Sequence, residues 1–361
     1  MEKIIFDILK KLEDNSYESY IVGGYVRDLL LGIKSYDIDI ATRAKPKEIL
    51  EIIKCDNIKL YDYGNVSFEK DDYTFEITTF RKDIKYKNNR KPEKIVYIDS
   101  FEEDLERRDF TINAICMDKE GNIIDLYNGR KDLKRRVICT IGDPDKKLSE
   151  DALRILRAIR FATIFRFKLD LNLKNAIIKH KELLRNLSYE RKKEELNKIF
   201  CSKNKKYGVK LLTTLGLLEP LELKDINSVL YTNDLIGIWA MVTDSDYAFT
   251  KNEKELIKKI RDLMNEDINN PLVQYKYGGY ALSVVSDLKR LNTKKIVAKY
   301  EKLPIKDRNE ILISAEEICE VLNKKPDSFL KNIIEDIETL IIKGLIKNEK
   351  SSIKEYIKSK Y

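Results

Sequence analysis

Residues 20–42 read YIVGGYVRDLLLGIKSYDIDIAT, and the fold turns on this stretch. A short β-type run ends at Gly23-Gly24, a helical segment YVRDLLLG follows, and YDIDIAT is a second strand. Two glycines between a strand and a helix let backbone N–H groups come close to phosphate oxygens, and the helix N-terminus adds a favourable partial charge. Arg27, one turn into that helix, could reach the same anion. Asp37 and Asp39 alternate with Ile38, so both carboxylates face one way while Ile38 points into the core. Neighbouring carboxylates repel unless something neutralises them, and a hard divalent ion with oxygen ligands does so. Glu76 lies in TFEITTF, another alternating strand, and completes the acidic cluster if that strand pairs beside the first. The bland alternative is a pair of surface carboxylates on an edge strand.

Outward from this stretch, the texture stays the same to about residue 145. NVSFEK, KIVYIDS, TINAICMD and NIIDLY read as strands, with an amphipathic helix at the N-terminus and another at PKEILEIIK, where Pro46 suits a first turn. The expectation is a mixed α/β domain with a largely antiparallel or mixed sheet. From about residue 146 the period becomes 3.6, as in LSEDALRILRAIRFATIF and YERKKEELNKIF, which predicts an all-helical second half built as packed bundles. Pro271 and Pro304 fall in polar breaks that could separate the bundles.

Two further constellations carry chemistry. Residues 103–114, EDLERRDFTINA, follow a 25-residue polar loop and open a strand or helix. There the guanidinium of Arg108 beside the carboxylate of Asp109 could grip a triphosphate and a ribose hydroxyl, or form a solvated charge cluster. In residues 150–161, EDALRILRAIRF, Asp151 and Arg154 are three apart on one helix face. An ordinary intrahelical ion pair there is worth about 0.3 kcal/mol. Arg154, Arg157 and Arg160 form a stripe, however, in a chain that elsewhere uses Lys for solubility.

Composition removes other chemistries. The 361 residues carry 69 Lys and Arg, 61 Asp and Glu, a net charge of +8 and one histidine, His180. A His-rich zinc site, an HExxH protease and an HD-type phosphohydrolase need more imidazoles than that. A Ser-His-Asp triad would rest on His180 in a Lys-rich helical stretch. Charged residues at 36% and apolar residues at 43% fit neither a disordered polyelectrolyte nor a membrane protein. Five scattered cysteines without a CxxC pairing predict buried free thiols in a reducing compartment. The charged N-terminus is no secretory signal and no apolar run spans a bilayer, so a cytoplasmic protein is expected. Of 18 arginines, 15 lie at or before Arg191. Fixed geometry for an anion is therefore expected in the first part, and diffuse Lys electrostatics in the rest.

The motifs GGYVRDLLLGIKSYDIDIAT, EITTFRKDIKYKNNRKPEKIVYIDSFEEDLERRDFTINA, DLYNGRKDL and EDALRILRAIRFA occur in one order over about residues 20–200. In this the chain resembles the class II tRNA nucleotidyltransferases, the CCA-adding enzymes, with bacterial poly(A) polymerases as close relatives. The resemblance implies an α+β fold, with a polymerase-β-like nucleotidyltransferase head over 1–142 and a helical neck over 143–205. A helical body over 206–270 and a tRNA-binding tail over 271–361 follow. It implies two Mg²⁺ ions held by Asp37 and Asp39, and the strand reading above adds Glu76 as the third catalytic carboxylate. Gly23, Gly24 and Arg27 match triphosphate-binding positions; Arg108, Asp109 and Asn113 match ribose and phosphate contacts. Asp151 and Arg154 match the pair that reads the incoming base, flanked by Arg157 and Arg160. Asp presents acceptors and Arg donors, so cytosine and adenine, with their exocyclic amines, fit where uracil and guanine do not.

The expected activity is addition of C, C and A to the tRNA 3′ end from CTP and ATP, with pyrophosphate released. The tRNA would be held by its acceptor and TΨC arms. No basic insertion of the poly(A) polymerase kind follows Asp39, and residues 82–106 keep the flexible loop that CC-only enzymes shorten. An A-only enzyme, then a poly(A) polymerase, stand as alternatives. A small-molecule nucleotidyltransferase or a non-catalytic RNA-binding protein stand as readings of a different class. The former leaves the basic helical half unexplained, and the latter would have lost Asp37, Asp39 or Glu76.

Overall fold

The computed structural model describes residues 3–55, 57–61, 64–87 and 91–361. The chain forms two compact units, residues 1–222 and 223–361, a division that falls inside the segment 206–270.

The first unit begins with α1 (Lys3–Asp14), β1 (Ser19–Val22), α2 (Gly24–Leu30), β2 (Asp37–Thr42) and α3 (Pro46–Ile52). It continues with β3 (Lys59–Leu60), β4 (Asn65–Lys70), β5 (Tyr73–Thr79), β6 (Arg81–Lys87), β7 (Lys91–Tyr97) and α4 (Phe101–Glu106). Then come β8 (Cys116–Met117), β9 (Ile123–Ile124), α5 (Gly129–Arg135) and β10 (Val137–Ile138). The helices α6 (Pro144–Glu150) and α7 (Leu153–Phe165), β11 (Lys168–Leu169), α8 (Leu171–His180), α9 (Tyr189–Phe200) and α10 (Lys205–Thr214) complete it.

The main sheet runs β3-β4-β5-β2-β1-β8-β9. It is mixed, as expected: β2 and β5 are parallel, while β1–β2 and β4–β5 are antiparallel. Period-2 alternation decides its faces. Ile38, Ile40, Phe75 and Ile77 are buried, and α1 packs beside them with Ile5, Ile8, Leu9 and Leu12. The opposite face presents Asp37, Asp39 and Glu76. The register sets Asp39 directly beside Glu76. A second cluster, with Val22, Phe80, Phe101 and Leu105, carries α4, and Tyr20 stacks on Phe101 at 4.0 Å.

Four expectations change. Residues 82–106 are not one polar loop: β6 and β7 form a hairpin from Arg81↔Tyr97 onward, and α4 follows. Residues 88–90 of that segment lie outside the described residues. Arg107–Asp109 close α4 rather than open an element, and TINAICMD keeps only β8 as strand. The side chain of Asn113 bonds Asp109, four residues back, at 3.0 Å, and this curls Thr111–Asn113 into a 3-10 turn. The second half is not purely helical, because β10 pairs in parallel with β11. Cys201 is exposed, although Cys116 and Cys319 are buried as anticipated and all five thiols are free.

The second unit holds α11 (Leu235–Val242), α12 (Lys251–Leu263), α13 (Pro271–Leu288) and α14 (Thr293–Glu301), then α15 (Ala315–Leu322), α16 (Phe329–Ile342) and α17 (Lys350–Lys360). Pro271 opens α13 behind the Asn270 cap, and the helix kinks at Gly278, where φ is 77°. Isoleucines 305, 318, 333, 337, 341, 342, 353 and 357 build its core. Among the described residues no helix is long and apolar enough to cross a membrane.

Candidate active site

Where β1 gives way to α2, Gly23 adopts φ 74°, ψ −133°. A side chain is excluded twice over: the left-handed φ disfavours it, and a Cβ would stand 2.9 Å from Asp39 Oδ2. The turn thus brings bare backbone up to the acidic face of β2. It forms one wall of a cavity of about 850 Å³ in the first unit. All thirteen residues singled out from the sequence line this cavity: Gly23, Gly24, Arg27, Asp37, Asp39, Glu76, Arg108, Asp109, Asn113, Asp151, Arg154, Arg157 and Arg160. Nine cationic and six anionic side chains face it, so the cavity suits a polyanion while keeping an acidic corner.

That corner is Asp37, Asp39 and Glu76. Burial pushes the Asp39 carboxyl up to about 6, helped by Glu76 and Asp37 and opposed by Arg108 and Arg27. A carboxylate in this situation is relieved by a cation. Among the described residues no group of three His, Cys, Asp or Glu side chains makes a metal cage. Glu76 instead accepts a hydrogen bond from Asn65 Nδ2 at 2.6 Å. Two carboxylates on one strand face, open to an anion-binding cavity, fit Mg²⁺, which takes one or two carboxylates and completes its shell with phosphate and water.

Opposite the corner, arginines converge on an aromatic floor. Arg27 lies over Phe161 at 5.2 Å and Phe165 at 4.7 Å, and donates from Nη1 to Asn113 Oδ1 at 2.6 Å. Arg157 and Arg160 lie over the same Phe161 ring at 5.5 and 4.3 Å. The ring face attracts all three guanidinium groups, and each also has a carboxylate partner, which for Arg27 is Asp28 at 2.8 Å. Arg157 also binds Asp109 at 2.7 Å. Burial alone would raise the Asp109 carboxyl, but Arg157, Asn113 and the Phe110 N–H outweigh it and hold it down at about 2.

Arg160 pairs with Glu195 at 2.8 Å, with both side chains buried. Removing one partner strands the other charge. Glu195→Gln is therefore expected to cost about 3 kcal/mol of folding stability, read by denaturant titration. A change below about 0.5 kcal/mol would show that Arg160 does not depend on this carboxylate.

The expected pairing of Asp151 with Arg154 on one helix face is corrected. Asp151 lies in the break between α6 and α7, where its Oδ1 accepts the Leu153 N–H at 3.0 Å and so starts α7. Its Oδ2 faces Arg191 of α9 at 3.5 Å. Burial raises the Asp151 carboxyl, with Arg191 the chief opposing charge. Arg154 binds Glu150 at 3.0 Å and the carbonyls of Lys147 and Arg107 at 2.8 and 2.9 Å. The two residues still line the same cavity.

Sequence reasoning did not single out Asp28, Ser35, Arg81, Arg107, Phe161, Arg191 and Lys198, which also line it. Arg191 carried a signal, as the last of the fifteen early arginines and the one Arg in the Lys-rich YERKKEELNKIF.

Compared with known proteins, residues 19–139 match the family described as "Poly A polymerase head domain" and 166–227 the "Probable RNA and SrmB-binding site of polymerase A". Residues 245–357 match "tRNA nucleotidyltransferase domain 2". The CCA-adding enzyme of Ligilactobacillus salivarius is 32% identical over 97% of this chain and 95% of that protein. The CCA-adding enzyme of Bacillus cereus is 31% identical over 97% and 96%. The crystal structure of the Bacillus stearothermophilus CCA-adding enzyme in complex with CTP superimposes with a TM-score of 0.83. It is 26% identical and covers 99% of this chain and 98% of that one.

Proposed function

Since the chain belongs to the class II tRNA nucleotidyltransferase family of CCA-adding enzymes, we propose that it adds C, C and A to tRNA 3′ ends from CTP and ATP, without a nucleic-acid template. The observation that carries this reading is the single cavity. It is lined at once by the paired carboxylates Asp37 and Asp39, by a group of arginines, and by Asp151 and Arg154.

In this reading the primer 3′-oxygen attacks the nucleotide's α-phosphorus. The O3′–Pα bond forms, the bond from Pα to the bridging oxygen breaks, and pyrophosphate leaves. Asp37 and Asp39 would hold two Mg²⁺ ions, which when bound would lower the pKa of the hydroxyl and offset charge on the triphosphate. Glu76, hydrogen-bonded by Asn65, stands beside them and keeps the corner's field negative. The backbone at Gly23 and Gly24, with Arg27, receives the phosphates. Arg108, Asp109 and Asn113 hold the ribose and the adjoining phosphate, Asp109 being fixed in its ionised form by Arg157. Asp151 and Arg154 test the base edge, with Arg157 and Arg160 beside them. Uracil and guanine place a carbonyl where Asp151 offers only acceptors, and an unpaired buried acceptor is costly.

The head, neck, body and tail over 1–142, 143–205, 206–270 and 271–361 divide this labour, with the Lys-rich later segments binding the acceptor and TΨC arms by shape and phosphate charge. The enzyme works in the cytoplasm. Its tRNA affinity is expected to fall about 10³-fold between 50 and 200 mM salt in a filter-binding titration. An affinity indifferent to salt contradicts this mode of binding.

The deciding experiment supplies Mg²⁺ with tRNA ending at the discriminator base, at C and at CC, and CTP and ATP singly and together. CCA completion of all three is expected. Addition of A to the CC end alone, or a long A tail, would replace this reading with the A-only or poly(A) activity.

A further inference from the structure

Asp104 of α4 has no role in the steps above, yet it is the most deeply buried carboxylate beside the cavity, with 0% of its surface exposed. Burial opposes its charge, but Arg108 and Arg107 outweigh that and hold the carboxyl below its usual range. Its Oδ1 accepts from the Arg81 backbone N–H at 3.1 Å and from Arg107 Nε at 2.9 Å. Its Oδ2 takes Arg108 Nη2 at 3.2 Å. One carboxylate thus ties the first residue of the β6–β7 hairpin to two arginines of the cavity wall.

Arg108 has a second carboxylate within reach. Its Nη1 lies 3.8 Å from the point where a Cβ on Gly23 would stand, and Asp39 Oδ2 lies 2.9 Å from that same point. Asp39 feels the guanidinium through space, while the ion pair itself is made with Asp104. If Arg108 closed on Asp39 it would take the oxygen lone pairs that a divalent ion needs and cancel the charge that attracts one. It would also turn its donors away from the nucleotide.

We infer that Asp104 is a positioning residue: by holding Arg108 back it keeps Asp39 open to a divalent cation and Arg108 open to phosphate. The inference rests on Asp39 being a metal-binding carboxylate, so the test separates the two. Binding of Mn²⁺ alone to the full-length protein, followed by water-proton relaxation, is the readout, and circular dichroism checks each variant's fold.

Asp104→Asn is expected to weaken Mn²⁺ binding about 10- to 100-fold, the range seen when a residue supporting a metal ligand is changed. In an Arg108→Ala background the same substitution is expected to change it less than about threefold, since no guanidinium remains to swing onto Asp39. Asp104→Glu, which keeps the charge, is expected to stay within about threefold of the unaltered protein. An equal loss in both backgrounds, no loss in Asp104→Asn, or a loss in Asp104→Glu as large as in Asn overturns the inference. Retention of full Mn²⁺ affinity by Asp39→Asn overturns the metal assignment itself, and the inference with it.

Discussion

Asp39→Asn is expected to lower kcat for CTP addition by about 10³-fold or more while leaving CTP affinity within about threefold. The substitution keeps the shape of the side chain and removes the charge that, in the proposed mechanism, would hold a cation beside the primer hydroxyl. The proposed triphosphate contacts, at Gly24, Arg27 and Arg108, are left unaltered. Stability moves the other way. Asp39 is a half-buried carboxylate crowded by Glu76 and Asp37, with its carboxyl pushed up to about 6, so a neutral amide relieves a cost in the metal-free fold. Single-turnover rates, nucleotide binding and thermal melting together check the assignment. A variant that loses activity only because it melts earlier would place Asp39 in the scaffold rather than in the chemistry.

Asp151→Asn is expected to narrow the preference for CTP over UTP by about 100-fold in kcat/KM. The structure says why asparagine is the informative choice. Oδ1 of Asp151 already accepts the Leu153 N–H, and an amide oxygen can do the same, so α7 still starts where it does. Oδ2 faces Arg191 and the cavity, and there the amide places a donor in exchange for an acceptor. A uracil carbonyl finds a partner at that point and a cytosine amine loses one. Rates measured for CTP, ATP, UTP and GTP on tRNA lacking its 3′ end check this. A uniform loss across all four would mean that Asp151 only holds the junction of α6 and α7.

The acidic corner was legible because it follows from period 2. In a strand with Ile38, Ile40, Phe75 and Ile77 on the buried face, Asp37, Asp39 and Glu76 have one face left. The turn at Gly23-Gly24 was legible because two glycines separate a β-type run from a helical segment, and Gly23 stands where no other residue fits. What misled was a pattern that reads through a boundary. The 3.6-residue period continues from α6 into α7, so residues 144–165 look like one helix, while an aspartate in mid-pattern is the sign of a new helix start. Between Arg81 and the run KIVYIDS, which does read as a strand, the lysines and asparagines suggest a loop by composition, although the chain there forms β6 of a hairpin. The approach of Arg27 to Phe161 is tertiary, because α2 and α7 are far apart in the chain, whereas Arg157 and Arg160 reach that ring from its own helix, Arg157 at the i,i+4 spacing.

The parallel register of β2 and β5 has a consequence for errors. A slip of one residue would carry Glu76 to the buried face and bring Phe75 or Ile77 out beside Asp39, costing the sheet its core as it costs the corner its third carboxylate. A chain that folds imperfectly here is therefore silent: it adds nothing, instead of adding the wrong nucleotide. For an enzyme that has no template to be checked against, a fault that abolishes synthesis is safer than one that loosens choice, and the roles proposed above keep the two apart on different elements, the acidic corner on β2 and β5 and Asp151 at the α6–α7 junction.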